Sequence, residues 1–145
     1  MPWANATGPQ ASKASGKAPG SLLGTVNQSI TIMGQALGAP VDVALLKGRA
    51  NYVCLHHLEA AAAQGTFATR EDAAHLQKIR RFANVTMSGD RSECADVAET
   101  SAAWAQATST RENCLGSSCR HYQDCFVMKA RKRAADADVI VVNHH

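Results

Sequence analysis

The sequence predicts an α/β fragment that is mostly α-helical. Hydrophobic residues make up 46% of the 145-residue chain, but alanine supplies many of them and aromatic residues make up only 5%. Alanine has the highest helix propensity, whereas β-branched and aromatic residues favour strands. Two short apolar runs, at 41–46 and 138–143, depart from this composition and predict strands. Helical patterns fill most of the chain between them.

The first 28 residues predict a disordered N-terminal segment. They are rich in Gly, Ser, Ala, Pro, Lys and Asn and contain few large apolar side chains, so they cannot bury enough surface to offset the entropy of ordering. Gly16 and Lys17 superficially resemble a phosphate-binding loop. That motif needs a glycine where Ala11 stands and a hydroxyl where Ala18 stands. We therefore expect no nucleotide site here.

The next part of the chain alternates between predicted helices and a strand. Residues 30–37 favour a short helix, and the run 41–46 favours a buried strand closed by Lys47 and Gly48. A helix is then predicted over 51–63, ending near Gly65.

Another predicted helix begins at a capping box. Thr69 is followed three residues later by Asp72, whose spacing fits that motif. Leu76, Ile79 and Ala83 then recur at i, i+3 and i+7 and predict a face directed at a core.

The second half of the chain has weaker helical patterns and one clear strand. Asp90 favours the cap of another short helix, Trp104 lies in a less regular stretch, and 126–135 has helical composition. The run 138–143 is β-branched throughout its middle, which is typical of a fully buried strand in a parallel sheet. Two strands separated by helices predict a helical insertion in an α/β sheet, and the chain end just after the second strand suggests a truncation.

Charge and the absence of sorting signals limit the functional classes. The net charge of +3 gives a weak preference for an acidic partner such as nucleic acid. No apolar run approaches the roughly 18 residues that a membrane span needs, and the N-terminus lacks the apolar centre of a secretory signal. We therefore expect no membrane association and a cytosolic protein with reduced thiols.

Three of the five cysteines form a compact group, Cys114, Cys119 and Cys125, with the spacing C-x4-C-x5-C. Five is a poor number for a disulfide framework, so a metal site is expected, with one further ligand. Spacing alone favours zinc and an iron–sulfur cluster equally, and buried unligated thiols are the remaining alternative. The candidates for the fourth ligand are Cys54 and Cys94, or, for zinc, His56, His57 and His121.

Several segments in combination resemble the DinG/YoaA-type helicases, bacterial relatives of the XPD helicases in superfamily 2. The resemblance covers about residues 36 to 145. It includes Cys119, His121, Tyr122 and Cys125, and four longer segments: LLKGRANYVCL at 45–55, TSTRENCLG at 108–116, FVMKAR at 126–131 and ADVIVVNHH at 137–145.

This resemblance implies a [4Fe–4S] cluster, because the family pattern is one distant cysteine followed by C-x4-C-x5-C. The implied ligands are Cys54, Cys114, Cys119 and Cys125. Cys94 falls where the family has no ligand, and the three histidines are then expected to lie around the cluster or on the surface. The implied domains are an edge of a RecA-like motor domain at 36–48, a helical iron–sulfur domain at 49–136 and a returning RecA-like strand at 137–145.

In the parent family the resemblance implies ATP-driven 5′→3′ DNA unwinding in repair or replication, in the bacterial cytoplasm and at the nucleoid. ATP and Mg²⁺ belong to that full-length parent. This chain lacks the Walker A and Asp-Glu-Ala-His motifs, and residues 1–35 do not resemble the family. We therefore expect the chain to lack ATPase activity alone, with the rest of the motor missing and with single-stranded or forked DNA as its partner.

Basic residues near the cysteines are the candidates for DNA contact, because they would neutralise phosphates without reading sequence. They are Lys47, Arg49, Arg120, Lys129, Arg131, Lys132 and Arg133. The alternative is that the basic helix is simply a solvated face. Tyr52 and Tyr122 could stack on bases, although packing around the cluster is the expected role.

Two other functions compete with the helicase interpretation. The same cysteines could form a free-standing zinc-binding nucleic-acid module. The chain could also be an inactive, truncated remnant that folds poorly.

Overall fold

The computed structural model describes residues 40–143, together with Ile32, Ala36 and Gly38. The segment 1–28, with its Gly16–Lys17 pair, lies outside the described residues. So does most of the predicted helix 30–37, of which Ile32 and Ala36 are helical.

Helices predominate in the described residues, with a pair of parallel strands. This confirms a mostly helical α/β architecture. We label the longer elements β1 (Val43–Lys47), α1 (Leu55–Gln64), α2 (Arg70–Val85), α3 (Ala103–Ala107), α4 (Phe126–Asp136) and β2 (Val139–Asn143). Short 3₁₀ turns lie at Arg49–Asn51, Arg91–Glu93, Gly116–Ser118 and Tyr122–Asp124.

The chain divides into two compact units. One comprises the described residues up to Leu46 together with Arg133–Val142, and the other comprises Lys47–Lys132 together with Asn143. The functional domains 36–48, 49–136 and 137–145 stay predictions, because compactness alone does not assign a domain's role.

The strand unit is held by backbone and ionic contacts around Asp42. The N–H groups of Asp138 and Val139 both donate to the Asp42 carbonyl, at 2.9 and 3.0 Å. The Arg133 guanidinium donates two hydrogen bonds to the Asp42 carboxylate, at 2.8 and 2.5 Å. This bidentate pair raises the pKa of Arg133.

The predictions of a buried strand at 41–46 and of a fully buried strand at 138–143 are wrong for the described residues. In β1 the buried residue is Ala44, and β2 alternates between half-buried and exposed positions. Ile140 and Val142 are 46% and 50% exposed. The other face of β2 is half-buried, so a run typical of a strand covered on both faces is fully buried on neither.

Helix α1 begins at Leu55 and not at the predicted Asn51. Tyr52 forms an antiparallel bridge with Asp90, and the Val53 N–H donates to the Gly89 carbonyl at 2.8 Å. This extended pairing removes residues 52–54 from the helix. The end of α1 agrees with prediction, because Gly65 adopts φ 63° and donates its N–H to the Ala61 carbonyl.

Helix α2 begins as its sequence predicts. The Thr69 hydroxyl oxygen accepts the Asp72 N–H at 3.0 Å and also donates to the Asp72 carboxylate at 2.8 Å. Leu76 and Ile79 are fully buried, and Ala83 packs against the same core. The Thr69 cap and the core-facing stripe are both confirmed, with the Asp72 carboxylate bonded to the Thr69 hydroxyl and not to the backbone N–H that a capping box uses.

The expectation that Trp104 lies in an irregular stretch is wrong. Trp104 belongs to α3, is 2% exposed, and donates its indole N–H to the Ala98 carbonyl at 3.0 Å. Alanines at 102, 103, 105 and 107 surround it, so a five-residue helix shows no amphipathic period. The prediction of a cap at Asp90 is confirmed, because its carboxylate accepts the Ser92 N–H at 2.9 Å in a 3₁₀ turn.

One hydrophobic core serves the larger unit. It is formed by the packing of α1, α2 and α3 together with residues from the start of α4. The core residues are Tyr52, Val53, Leu58, Ala61, Leu76, Ile79, Cys94, Val97, Ala103, Trp104, Ala107, Phe126 and Val127.

In the described part of the chain, no helix has the length and apolar character that crossing a membrane requires.

Candidate metal centre

Two of the four predicted ligand cysteines directly precede helices. The Cys54 carbonyl accepts the Leu58 N–H at 2.9 Å, and the Cys125 carbonyl accepts the Lys129 N–H at 2.9 Å. These bonds are the first of α1 and α4, so each cysteine lies at the positive end of a helix dipole.

The other two ligand candidates lie in residues 108–125, which we call the cysteine segment. This segment contains short 3₁₀ turns and no α-helix. The Cys119 N–H donates to the Gly116 carbonyl at 3.1 Å, and the Cys119 carbonyl accepts the Tyr122 N–H at 3.0 Å. Gly116 provides the left-handed conformation, φ 59°, that the first turn requires.

Cys54 lies close to the cysteine segment. Burial is the main cause that raises the pKa of its thiol, and nearby Cys125 and Cys119 raise that pKa further through charge repulsion. Cys54, Cys119 and Cys125 are all partly buried. The Cys54 N–H donates to the Ala107 carbonyl at 2.7 Å, directly before the cysteine segment.

The fourth predicted ligand contacts a basic residue. The Arg49 guanidinium donates to the Cys114 sulfur at 3.3 Å, which joins the start of the unit to the first cysteine of the trio.

One of the two histidines that follow Cys54 contacts its sulfur, and the two imidazole rings pack against each other. The Nδ1 atom of His57 lies 3.4 Å from the Cys54 sulfur, and the His56 and His57 rings meet edge to face. Burial lowers the pKa of His57, with a smaller contribution from the charge of His56. His57 is therefore neutral more readily than an exposed histidine.

The thiols do not form a closed metal site as they stand. Among the described residues, no three His, Cys, Asp or Glu side chains come together as a metal-binding group. All five cysteines are free thiols. Cys94 is 6% exposed in the hydrophobic core, and burial raises the pKa of its thiol.

A polar cluster lies beside the cysteine segment. Glu59, in α1, accepts a hydrogen bond from the Arg120 guanidinium, and its second carboxylate oxygen lies 2.9 Å from Nε2 of His121. The Arg120 Nε atom is 3.2 Å from the same ring nitrogen. The hydrogen bond with His121, followed by the charge of Arg120, holds the pKa of Glu59 below its usual range.

The predicted DNA-contact residues fall into two groups. Four of them have partners in this structure: Lys47 with Asp90, Arg49 with Cys114, Arg120 with Glu59, and Arg133 with Asp42. The Lys47 Nζ atom lies 2.5 Å from the Asp90 Oδ2 atom, and each side chain is only 10% exposed.

The second group of predicted DNA contacts comprises Lys129, Arg131 and Lys132, which are exposed on α4. Within the described residues no ion pair holds their charges. The Lys129 ammonium also lies 5.6 Å from the centre of the Phe126 ring. Of the two groups of predicted DNA contacts, this second group presents positive charge to solvent without an ionic partner among the described residues.

The tyrosines differ in availability. Tyr52 is 4% exposed, and its hydroxyl accepts the Lys47 N–H at 3.1 Å. Burial raises the pKa of this phenol. Tyr52 therefore packs inside the unit and offers no ring face to a base, whereas Tyr122 is only half-buried.

Sequence reasoning missed the acidic partners in this region. Glu59, Asp90 and Asp42 neutralise Arg120, Lys47 and Arg133 across long sequence separations. The sequence carries no short-range signal for these pairs, because none of them has helical i, i+4 spacing.

Comparison with known proteins supplies the family. The chain is 49% identical over 119 residues to the ATP-dependent DNA helicase YoaA of Escherichia coli and 45% identical over 119 residues to that of Haemophilus influenzae. It is 32% identical over 132 residues to the ATP-dependent helicase DinG of Mycobacterium tuberculosis. The matches cover 82%, 82% and 81% of this chain.

The chain spans 19% of the length of each YoaA protein and 20% of the DinG protein. No protein-family model matches the chain. No solved structure matches it significantly. By its similarity to these curated relatives, the chain belongs with the DinG/YoaA-type helicases, as a segment that corresponds to about one fifth of their length.

Proposed function

We propose that this chain is the iron–sulfur segment of an ATP-dependent DNA helicase, with Cys54, Cys114, Cys119 and Cys125 as ligands of a [4Fe–4S] cluster. The observation that carries the proposal is that the residues on either side of Cys54 contact the cysteine segment: Arg49 donates to the Cys114 sulfur, and Glu59 contacts Arg120 and His121. The similarity to helicases adds an independent reason to expect a DNA-directed role.

The donor set fits such a cluster chemically. Four thiols are available, which is the usual ligand set of a [4Fe–4S] centre. Two of them lie directly before helices, and a third accepts a hydrogen bond from the Arg49 guanidinium.

The cluster, when bound, would supply a cross-link between Cys54 and the cysteine segment. Metal ligation of this kind contributes folding free energy, because the ligands are far apart in the unfolded chain. The role proposed for the cysteines is therefore structural. Cys94 has no part in it, since its thiol packs in the hydrophobic core.

The proposed DNA contact rests on Lys129, Arg131 and Lys132. Their charges are exposed on one helix directly after Cys125, so they would bind phosphates beside the cluster. Lys47, Arg49, Arg120 and Arg133 were candidates too, but each would have to leave its present partner to bind a phosphate. We expect sequence-independent binding to single strands or forks that weakens with salt.

In the whole protein, this segment would contribute strand binding and separation next to an ATP-driven motor. We propose 49–136 as the helical iron–sulfur insertion, with RecA-like flanks at 36–48 and 137–145. ATP hydrolysis with Mg²⁺ and 5′→3′ unwinding would belong to the complete helicase, acting in the bacterial cytoplasm at the nucleoid. The chain as given would not hydrolyse ATP by itself.

Anaerobic reconstitution with iron and sulfide tests the cluster. The wild-type chain should turn brown, absorb broadly at about 400 nm, and bleach with dithionite. Cys54→Ser should bind much less iron, whereas Cys94→Ala should bind as much as wild type if it folds, which circular dichroism checks. A colourless chain that binds zinc would contradict the proposal and support a zinc module.

Fluorescence anisotropy with a labelled oligothymidine tests the DNA contact. Arg131→Gln/Lys132→Gln should weaken binding and reduce the slope of log K against log salt concentration by about 1.4, since each single-strand phosphate contact contributes about 0.7. The matched control is Arg80→Gln/Arg81→Gln, which removes two adjacent exposed charges from α2. Equal effects of the two double variants would show that net charge, not the α4 surface, drives binding.

A further inference from the structure

The carboxylate of Glu59, which the proposed ligand set does not include, joins α1 to the cysteine segment. Glu59 lies in α1, which starts directly after Cys54. Its carboxylate contacts Arg120 and His121, the two residues directly after Cys119. We propose that Glu59 is a positioning residue that holds Cys119 beside Cys54 before metal binds.

This inference rests on the proposed function, because it assigns a role to Glu59 in assembling the four-thiol site. Glu59 itself is not proposed as a ligand. It would act through Arg120 and His121 by fixing the backbone that carries Cys119.

The middle of the cysteine segment has little else to hold it. Residues 115–118 are exposed, and Leu115 is 50% exposed, so no apolar side chain anchors this stretch. The two ends are fixed differently: Cys114 contacts Arg49, and Cys125 packs against the hydrophobic core. The Glu59 contacts therefore hold the part of the segment between these ends.

The chemistry of the contact suits a clamp of this kind. One carboxylate accepts a hydrogen bond from the Arg120 guanidinium through one oxygen and from Nε2 of His121 through the other. The lowered pKa of Glu59 agrees with an anion that these partners stabilise. Because the Glu59 and Arg120 side chains are 52% and 67% exposed, the cluster should affect local position more than global stability.

The test compares Glu59→Ala and the conservative Glu59→Gln with wild type in the full chain. The matched control is Glu71→Ala, which removes a carboxylate that faces His75 at 3.8 Å on α2. The first readout is the alkylation rate of each cysteine in metal-free protein, measured by iodoacetamide labelling and mass spectrometry. The second is the rate of cluster formation during reconstitution with iron and sulfide.

Without the clamp, Cys119 should be alkylated about 1.5- to five-fold faster, which corresponds to the roughly 0.2 to 1 kcal/mol of an exposed ionic contact. Cluster formation should slow by a similar factor, and Glu59→Gln should fall between Glu59→Ala and wild type. Glu71→Ala should match wild type in both measurements. The single variants Glu59→Arg and Arg120→Glu should both be labelled faster than wild type at Cys119. The double variant Glu59→Arg/Arg120→Glu, which restores opposite charges, should be labelled at a rate closer to that of wild type.

The two possible failures give different results. A wild-type chain that acquires no cluster contradicts the proposed function. A wild-type chain that acquires one, while Glu59→Ala is labelled at Cys119 and reconstituted at wild-type rates, overturns the role of Glu59 alone. Circular dichroism at 222 nm separates a local effect from unfolding, and an unfolded Glu59→Ala beside a wild-type-like Glu59→Gln would also overturn a purely local clamp.

Discussion

The hydrophobic core and the cysteine segment lie in the same compact unit but are stabilised differently. In the core, Leu76, Ile79 and Trp104 are at most 2% exposed and pack between α1, α2 and α3. In the cysteine segment, residues 110–113 and 115–118 are exposed, and order comes from 3₁₀ turns and polar contacts. One region depends on apolar burial, and the other depends on specific pairs of residues.

This difference separates two kinds of sensitivity to mutation. Core stability should follow side-chain volume, because the interior is close-packed and a deleted group leaves a cavity. The cysteine segment should tolerate changes of volume and respond instead to the loss of Glu59, Arg49 or the thiols. Matched substitutions in the two regions test this contrast.

The largest difference is expected from the same leucine deletion in each region. Leu76→Ala, at a fully buried position of α2, should reduce the free energy of unfolding by about 3 to 4 kcal/mol. Leu115→Ala, at a half-exposed position between Cys114 and Cys119, should cost less than about 0.5 kcal/mol. Urea denaturation followed by circular dichroism measures both. Equal losses would show that the cysteine segment belongs to the cooperative core.

A smaller difference is expected from a glycine substitution in each region. Gly89 and Gly116 both have positive φ, at 70° and 59°, so alanine is strained at either site. An added Cβ at Gly89 would lie 2.2 Å from Phe126, whereas at Gly116 it would meet nothing within 4 Å. Gly89→Ala should therefore cost about 2 to 4 kcal/mol, through strain and overpacking together. Gly116→Ala should cost only about 1 kcal/mol.

The same unfolding measurement checks the glycine pair. If Gly116→Ala proved as destabilising as Gly89→Ala, backbone strain alone would explain both, and the close approach of Gly89 to Phe126 would have no separate effect.

The contrast also explains which features the sequence could predict. Thr69, Leu76 and Ile79 follow local rules, a cap and a 3.6-residue period, and the structure confirms them. The start of α1 could not be predicted this way, because the pairing of Tyr52 with Asp90 competes with helix formation at 52–54. Trp104 was missed for a related reason, since a short alanine-rich helix has no apolar period.

The candidate site shows the same division. The three clustered cysteines are visible from spacing, and Cys54 came from the resemblance to a family. The contacts of Arg49 with Cys114 and of Glu59 with Arg120 depend on the folded arrangement and have no sequence signal. The exposed face of β2 was also unpredictable, because a β-branched run indicates a strand without specifying what covers it.

The smallest expected effect concerns pH and compares Tyr52 with Tyr122. Burial raises the pKa of Tyr52 above its ordinary value of 10.0, and the nearby Asp90 charge raises it further, although the hydrogen bond from Lys47 lowers it. The folded state therefore binds this proton more tightly than the unfolded state. The resulting stabilisation is fully present below pH 10 and is lost as the pH rises from there through the pKa of the folded state.

Tyr52→Phe should alter this alkaline decline. At pH 8 the variant should be less stable by about 1 kcal/mol, because the Lys47 N–H loses its acceptor. Above pH 10 the difference in the free energy of unfolding between Tyr52→Phe and wild type should become smaller. The reason is that this phenol ionises more readily in the unfolded state, which destabilises wild type alone. Urea midpoints at pH 8, 9.5 and 11 measure this, with Tyr122→Phe in the cysteine segment as the control for losing any phenol. Parallel declines of wild type and Tyr52→Phe would mean that the alkaline sensitivity arises elsewhere, and that burial in the core does not distinguish Tyr52 in this respect.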